Sequence, residues 1–359
     1  MKVALGSKII KGPWGGGNLF TINLKNYLSN KNIEVTNTLN DSDIDIILLT
    51  EPRIESSTST ITLFEARMYK KYVNTKVKVI HRINECDERK NTNSVNKKMI
   101  KISRKCDFTI YVSSWIENLY KESGIDILNS SVVMSGSDKN IFNQQNKKIW
   151  DKSSKLKIIT HHWGNNWNKG FDIYSYIDEL LDKPDFSKRF EFTYVGNLPK
   201  NFRFKNTHYK KPISGKKLSD ELKANDLYIT GSLNEPSGNH QIEASLCGLP
   251  VLYINSGGIP EYQKNFGIEF EINNLNEKFE DKYKNYDSYF RKNKNFPFNS
   301  ELMCKNYLDI MDSICEPNLD NKKTGLYMYI YRFLNSSNLL VFFKSLLANL
   351  IYQYRKLTR

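Results

Sequence analysis

The chain has 359 residues, 39% of them hydrophobic and 26% charged, with a formal net charge of +14. That length and apolar content predict roughly two ordinary domains with real cores and exclude a disordered chain. Cys86, Cys106, Cys247, Cys304 and Cys315 are an odd number without a CxxC pair, which argues against a disulfide framework or a cysteine zinc site.

The chain opens on MKVALG and runs straight into a strand pattern, without the charged start, apolar run and small-residue cleavage site of a signal peptide; a cytoplasmic location is expected. Short apolar strands then alternate with amphipathic helical stretches, the pattern of parallel α/β units. The first series of candidate strands is Lys2–Gly6, Ile33–Asn37, Ile44–Thr50, Val77–Ile83 and Phe108–Ser113, and the second is Leu156–His161, Phe190–Gly196, Asp226–Gly231 and Pro250–Ile254. The polar stretch Asp138 to Ser154 between the series reads as an exposed hinge or linker. Two Rossmann-like domains facing each other across a cleft are expected, and ligands in such folds sit at the carboxyl ends of strands.

Several segments at such ends carry candidate chemistry. After the first strand, GPWGGGN places Gly15, Gly16 and Gly17 before a helix expected from about Asn18, where backbone can approach a phosphate or sugar closely; a flexible turn explains the glycines equally well. HRINECDERK follows the apolar Val77–Ile80 and is expected to set His81, Arg82, Asp87 and Arg89 at a strand's carboxyl end. Histidine titrates near neutrality and suits contact with a reacting hydroxyl or a phosphate, while the bland alternative is a polar loop. In THHWGNNWNKGF, Lys169 follows a strand and a polar loop and can neutralise a diphosphate leaving group. His161 and His162 have no third ligand nearby and read as strand-end residues rather than metal ligands. In EPSGNHQIEASLCGLPVLYINSGGIPEY, Glu235 and Glu243 lie eight positions apart around a Gly-Asn turn and a helix start. Two carboxylates so placed accept hydrogen bonds from sugar or ribose hydroxyls, while the helix N-terminus offers N–H groups to phosphate.

These segments, in this order, resemble a family 4 glycosyltransferase of the GT-B fold (glycosyl transferases group 1), over about residues 1–316. The match rests on the E-x(7)-E of Glu235 and Glu243, the SGGIPEY that follows, Gly16–Gly17, the strand at His81, VVMSGSDKNIF, and Lys169–Gly170. The resemblance implies an acceptor domain over 1–145, a donor domain over 150–316, and a helix around Ser300–Ile314 that returns toward the first domain. It implies that Glu235 contacts the transferred sugar, that Gly238 and Asn239 hold sugar and phosphate through backbone N–H groups, and that Glu243 binds the ribose. Lys169 would bind the diphosphate, Gly16 and Gly17 would approach the reacting end of the donor, and Gly258 would complete the donor site. His81 would sit near sugar and acceptor as a catalytic residue, with Arg82 and Asp87 on the acceptor. The donor would be a UDP- or GDP-linked sugar, transferred with retention, without cofactor or metal ion, to a saccharide or lipid-linked saccharide of a surface polysaccharide or lipopolysaccharide.

The sequence departs from the family pattern in three places. The arginine shortly before the lysine is absent, the stretch being Trp163–Gly164–Asn165–Asn166; Arg82, Arg53 or another residue would have to replace it. Ser135–Gly136 stands for Asn-Gly, and Ser237 for a common phenylalanine.

The last segment, 317–359, carries a net +6 and the aromatic run LYMYIYRFLNSSNLLVFFKSLLANLIYQY, interrupted too often to span a bilayer. One or two amphipathic helices are expected there, resting on an anionic membrane surface at the inner face of the cell membrane or packing on the protein or a second subunit. Two other classes compete for the whole chain. A non-catalytic carbohydrate-binding or scaffold protein on the same fold is one; a nucleic-acid-binding protein is disfavoured because the basic residues are scattered or in the tail, without a recognition module.

Overall fold

A computed structural model describes residues 1–123, 127, 129–315, 326–336, 339, 344–347 and 349–351. In the first half the order is β1 (Lys2–Leu5), α1 (Gly16–Asn30), β2 (Glu34–Thr36), β3 (Ile46–Leu49), α2 (Leu63–Tyr72), β4 (Lys78–Ile83), α3 (Val95–Ser103), β5 (Phe108–Tyr111), α4 (Ser114–Glu122) and β6 (Ser130–Val132). The second half holds β7 (Leu156–His162), α5 (Phe171–Leu180), α6 (Pro184–Ser187), β8 (Phe190–Gly196), β9 (His208–Lys210), α7 (Gly215–Lys223), β10 (Leu227–Thr230), α8 (Asn239–Leu246), β11 (Val251–Tyr253), α9 (Ile259–Gln263), β12 (Ile268–Glu269), α10 (Leu275–Lys292), α11 (Ser300–Ile314) and α12 (Leu326–Ser336).

Each half forms one six-stranded sheet, in the orders β2-β1-β3-β4-β5-β6 and β12-β11-β10-β7-β8-β9, and the strand pairings are parallel. A parallel sheet is covered on both faces, which is why β3 reads IILL and β10 LYIT, every residue buried. Ile46 and Leu48 face one core layer with Val3, Phe20 and Leu24, while Ile47 and Leu49 face the other with Tyr69 and Tyr120. The nine expected strands are all present; β6, β9 and β12 are additional, each a sheet edge of three residues or fewer.

The chain crosses between the halves twice, and the crossings lie side by side. Ser300 N–H donates to the Ser137 carbonyl at 2.8 Å, and Ser137 and Asn299 form an isolated bridge. A Cβ on Gly136 would stand 2.1 Å from the Asn299 carbonyl oxygen, so glycine alone fits there. After the second crossing α11, capped by Asn299, packs Met303, Cys304, Tyr307 and Met311 into the first-domain core layer. Of the tail, α12 buries Met328 and Tyr331 against the other first-domain layer, Arg332 Nε donates to the Asn40 carbonyl at 2.8 Å, and Lys344 pairs with Glu65 at 2.8 Å. The expectation of amphipathic tail helices is met by α12; residues 316–325, 337–338, 340–343, 348 and 352–359 lie outside the described residues. No helix among the described residues is long and apolar enough to cross a membrane.

Candidate functional site

The site is built on β7 and β10 of the second domain. A 3-10 turn at Trp167–Lys169 follows β7, and Gly170, in the left-handed region at φ 102°, turns the chain into α5. A Cβ on Gly170 would lie 2.6 Å from the Gly231 backbone, so the turn and the end of β10 can meet only through glycine. The loop after β10 runs along this turn, with Leu233 N–H donating to the Asn168 carbonyl at 2.8 Å. Lys169 (6% exposed) and Glu235 (7% exposed) are thereby buried against each other, Nζ paired with Oε2. Gly238, left-handed at φ 68°, then admits α8, which begins at Asn239, four residues after Glu235.

A third charge completes this pair, and it comes from the first domain. Arg89 Nε stands 3.3 Å from Glu235 Oε1, and its Nη1 donates to Glu85 at 3.1 Å. Burial alone would raise the Glu235 pKa, but Arg89 and Lys169 together hold it well below the ordinary carboxylate range. Burial in turn pushes the Lys169 ammonium down, and Glu235 opposes that. Glu235 is therefore a fixed carboxylate between two cations.

The loop carrying Arg89 is docked by two asparagines of the second domain: Asn234 Nδ2 donates to the Glu88 carbonyl at 3.3 Å and Asn168 Nδ2 to the Arg89 carbonyl at 3.4 Å. Close by, a Cβ on Gly16 would come within 3.3 Å of the Asn239 side chain, and Trp14 lies 5.5 Å from Trp163, ring centre to ring centre, across the same gap. Farther along, Glu261 accepts from the first N–H groups of α4, Ser114 at 2.8 Å and Trp115 at 2.5 Å, and the Tyr262 hydroxyl donates to the Val112 carbonyl at 2.9 Å while accepting from Ser135 N–H.

The structure thus brings Gly16, Lys169, Glu235, Gly238 and Asn239 together, with Gly17 in the first turn of α1. Glu243, one turn into α8, is buried, and its Oε2 lies 2.8 Å from His161 Nε2. Gly258 has a role in packing: its N–H donates to the Glu235 carbonyl at 2.9 Å, and a Cβ would clash with the Pro236 carbonyl at 2.2 Å, so it holds the Glu235 loop in place.

Three first-domain expectations need correction. His81 does not stand free at a strand end, because β4 continues to Ile83; it is fully buried, its Nδ1 bonded to Ser103 at 2.7 Å, and burial lowers its pKa to about 3. Arg82, on the opposite face of β4, is buried with its guanidinium 4.0 Å above the Phe20 ring, in the first-domain core rather than in a strand-end loop. Asp87 caps the start of α3, accepting from Thr92 Oγ1 and the N–H groups of Ser94, Val95 and Asn96. Burial alone would raise its pKa, and these bonds outweigh that and hold it low. Arg89, which shares their segment, is the residue that reaches the site; sequence reasoning placed it at the strand end without a role, since only the length of β4 decides which side chain emerges.

His161, His162 and His240 gather around the end of β7, with His162 and His240 ring centres 4.6 Å apart, but His162 bonds to Tyr174 and His240 to Thr230. Among the described residues there is no group of three or more His, Cys, Asp or Glu that could hold a metal ion. Two cavities lie away from Glu235. One, of about 510 Å³, is on the second domain beside Lys147 and Asp226. The other, of about 540 Å³, lies at the carboxyl ends of β1 to β3 and is lined by Lys8, Thr38, Ser56, Thr60, Tyr331 and Lys344.

Residues 197–293 match the family described as Glycosyl transferases group 1. The matched segment contains Glu235, Gly238, Asn239, Glu243 and Gly258 and leaves out Lys169 and the first domain. No curated protein sequence matches the chain. Among solved structures it is similar to HepE of Anabaena in complex with UDP-glucose, at 14% identity and a TM-score of 0.65, over 87% of this chain and 100% of that one. Sucrose-phosphate synthase of Thermosynechococcus elongatus aligns at 13% identity and 0.63, over 87% and 98%. The lipopolysaccharide outer core galactosyltransferase WaaB aligns at 12% and 0.61, over 87% and 99%. The two facing parallel sheets are the GT-B fold.

Proposed function

We propose that the protein is a glycosyltransferase that moves a sugar from a nucleoside-diphosphate donor to a saccharide or lipid-linked saccharide acceptor, with retention of configuration and without a metal ion. The observation that carries this reading is the Lys169–Glu235–Arg89 cluster at the mouth of α8, where fixed charge and backbone N–H groups converge on the cleft. The family match over 197–293 and the UDP-glucose bound by HepE support it.

In this reading the diphosphate lies against Lys169 and the N-terminus of α8, where positive charge and the helix dipole stabilise the negative charge that develops as the sugar leaves. Glu235, held ionised, accepts hydrogen bonds from hydroxyls of the transferred sugar, and Glu243, oriented by His161, takes the ribose. The bond from the anomeric carbon to the β-phosphate oxygen breaks, the acceptor oxygen bonds to the same face of that carbon, and its proton passes to the departing phosphate. Closure of the two domains on the donor, at the rim where the half-exposed Trp14 and Trp163 meet, keeps water from it. The acceptor enters from the first domain. Surface polysaccharide or lipopolysaccharide is the acceptor class, and the outer face of α12, with Tyr329, Ile330 and Phe333 exposed, rests on the membrane that carries it.

A panel of UDP- and GDP-sugars in thermal-shift measurements tests the reading, because a donor binds the native state and raises its melting temperature. One member should raise it and be consumed when an acceptor is supplied, and Glu243→Ala should remove the shift. Binding of a sugar without the nucleotide, with no turnover of any donor, would instead make the chain a non-catalytic carbohydrate-binding protein.

A further inference from the structure

We infer that Arg89, carried by the first domain, is a diphosphate-binding residue of the donor site and supplies the positive charge that the loop after β7 lacks; the inference rests on the glycosyltransferase reading above. The stretch Gly164–Asn165–Asn166 brings no cation to Lys169, and the Oδ1 of Asn166 is buried without a partner among the described residues. Other arginines near the cleft are committed elsewhere. Arg53 makes a two-pronged pair with Glu51, both contacts at 2.6 Å; Arg82 has Nε and Nη1 without partners, but they are buried with the guanidinium over Phe20 of the first-domain core, and no contact joins them to Lys169 or Glu235.

Arg89 differs in placement and in what its guanidinium has left to give. Its side chain is 22% exposed, and its Nε lies 3.3 Å from Glu235 Oε1 without hydrogen-bond geometry, so that N–H is buried and unused. It shares Glu235 with Lys169, which puts both cations on one carboxylate at the start of α8. Its backbone is held by Asn168 and its neighbour Glu88 by Asn234, so the guanidinium is positioned by the second domain although the first carries it. A planar fork of N–H groups matches two phosphate oxygens at once, which an ammonium cannot do. Glu85 and Lys90 are the remaining charges around it; Lys90 is exposed and paired with Glu85 at 3.3 Å, leaving Arg89 as the arginine beside Lys169. A diphosphate competes with Glu235 for Arg89 and Lys169, and binding it frees the carboxylate to meet the sugar hydroxyls.

The test measures binding of UDP, GDP, uridine and guanosine to the full chain by calorimetry, for the wild type, Arg89→Gln and Arg89→Lys. The diphosphate that the wild type binds should lose roughly 10- to 100-fold in affinity in Arg89→Gln and less in Arg89→Lys, while the corresponding nucleoside binds all three proteins equally. Equal loss for nucleoside and diphosphate would mean a structural role, and diphosphate affinity within twofold of wild type in Arg89→Gln would mean no role; either result overturns the inference. A wild type that binds neither UDP nor GDP overturns the reading of the site, and the inference with it.

Discussion

The two domains repeat one architecture, a six-stranded parallel sheet, yet they deliver the side chains of the proposed site differently. The second places Glu235, Gly238, Asn239 and Glu243 in one continuous loop and helix and brings Lys169 in from the neighbouring strand end. The first contributes Gly16 and the single side chain of Arg89, from a segment whose more conspicuous residues serve the fold. A site concentrated in one loop survives small errors in element boundaries. One that depends on where a strand ends does not, because with β4 running three residues past Ile80 to Ile83, His81 and Arg82 alternate into opposite core layers and the cleft position passes to a residue farther on.

The largest test of this contrast is Glu235→Ala. Removing the carboxylate that both cations share should lower transfer at least about 100-fold, measured as turnover of the donor identified in the panel. It should also destabilise the protein by roughly 3 kcal/mol in urea, because two buried positive charges lose their partner. Unchanged turnover would remove Glu235 from the site.

Acid sensitivity should distinguish the structural histidines from the carboxylates. His81 has its folded pKa lowered to about 3, against 6.5 for a free histidine, and burial likewise places His162 and His240 well below that value. The unfolded chain then binds more protons than the native one, so the stability these groups contribute is present above pH 6.5 and lost as pH falls below it toward 3. Glu235, held low by Arg89 and Lys169, adds a loss below its unfolded value of 4.5. Between about pH 6.5 and 4.5 each neutral histidine should cost about 1.4 kcal/mol per pH unit. His81→Leu should reduce that slope in urea titrations by one such step; a slope equal to wild type would show that His81 titrates in the folded protein.

A smaller effect is expected from Asp87→Ala, which deletes the cap of α3 and should cost about 1 kcal/mol of stability. Acceptor KM is the discriminating readout. A large rise in it at unchanged stability would restore Asp87 as an acceptor residue and erase the asymmetry between the domains.

The α/β class, nine of the twelve strands and the helix returning to the first domain were all legible in the sequence. Buried parallel strands leave continuous apolar runs, and the turns between them carry glycine and polar residues. The second-domain site was legible for the same local reason, since Gly238 and the helix start after it fix how Glu235 and Asn239 stand relative to one another. Periodicity leaves open how far a strand runs and what lies across a cleft. The sealing of His81 against Ser103, the stacking of Arg82 on Phe20, the cap made by Asp87 and the arrival of Arg89 beside Glu235 each join residues 5 to 146 positions apart. The Asp87 cap closes a local loop, the His81 and Arg82 contacts depend on how the first-domain sheet packs against its helices, and the Arg89–Glu235 contact depends on how the two sheets face each other; the tertiary structure alone decides the last three.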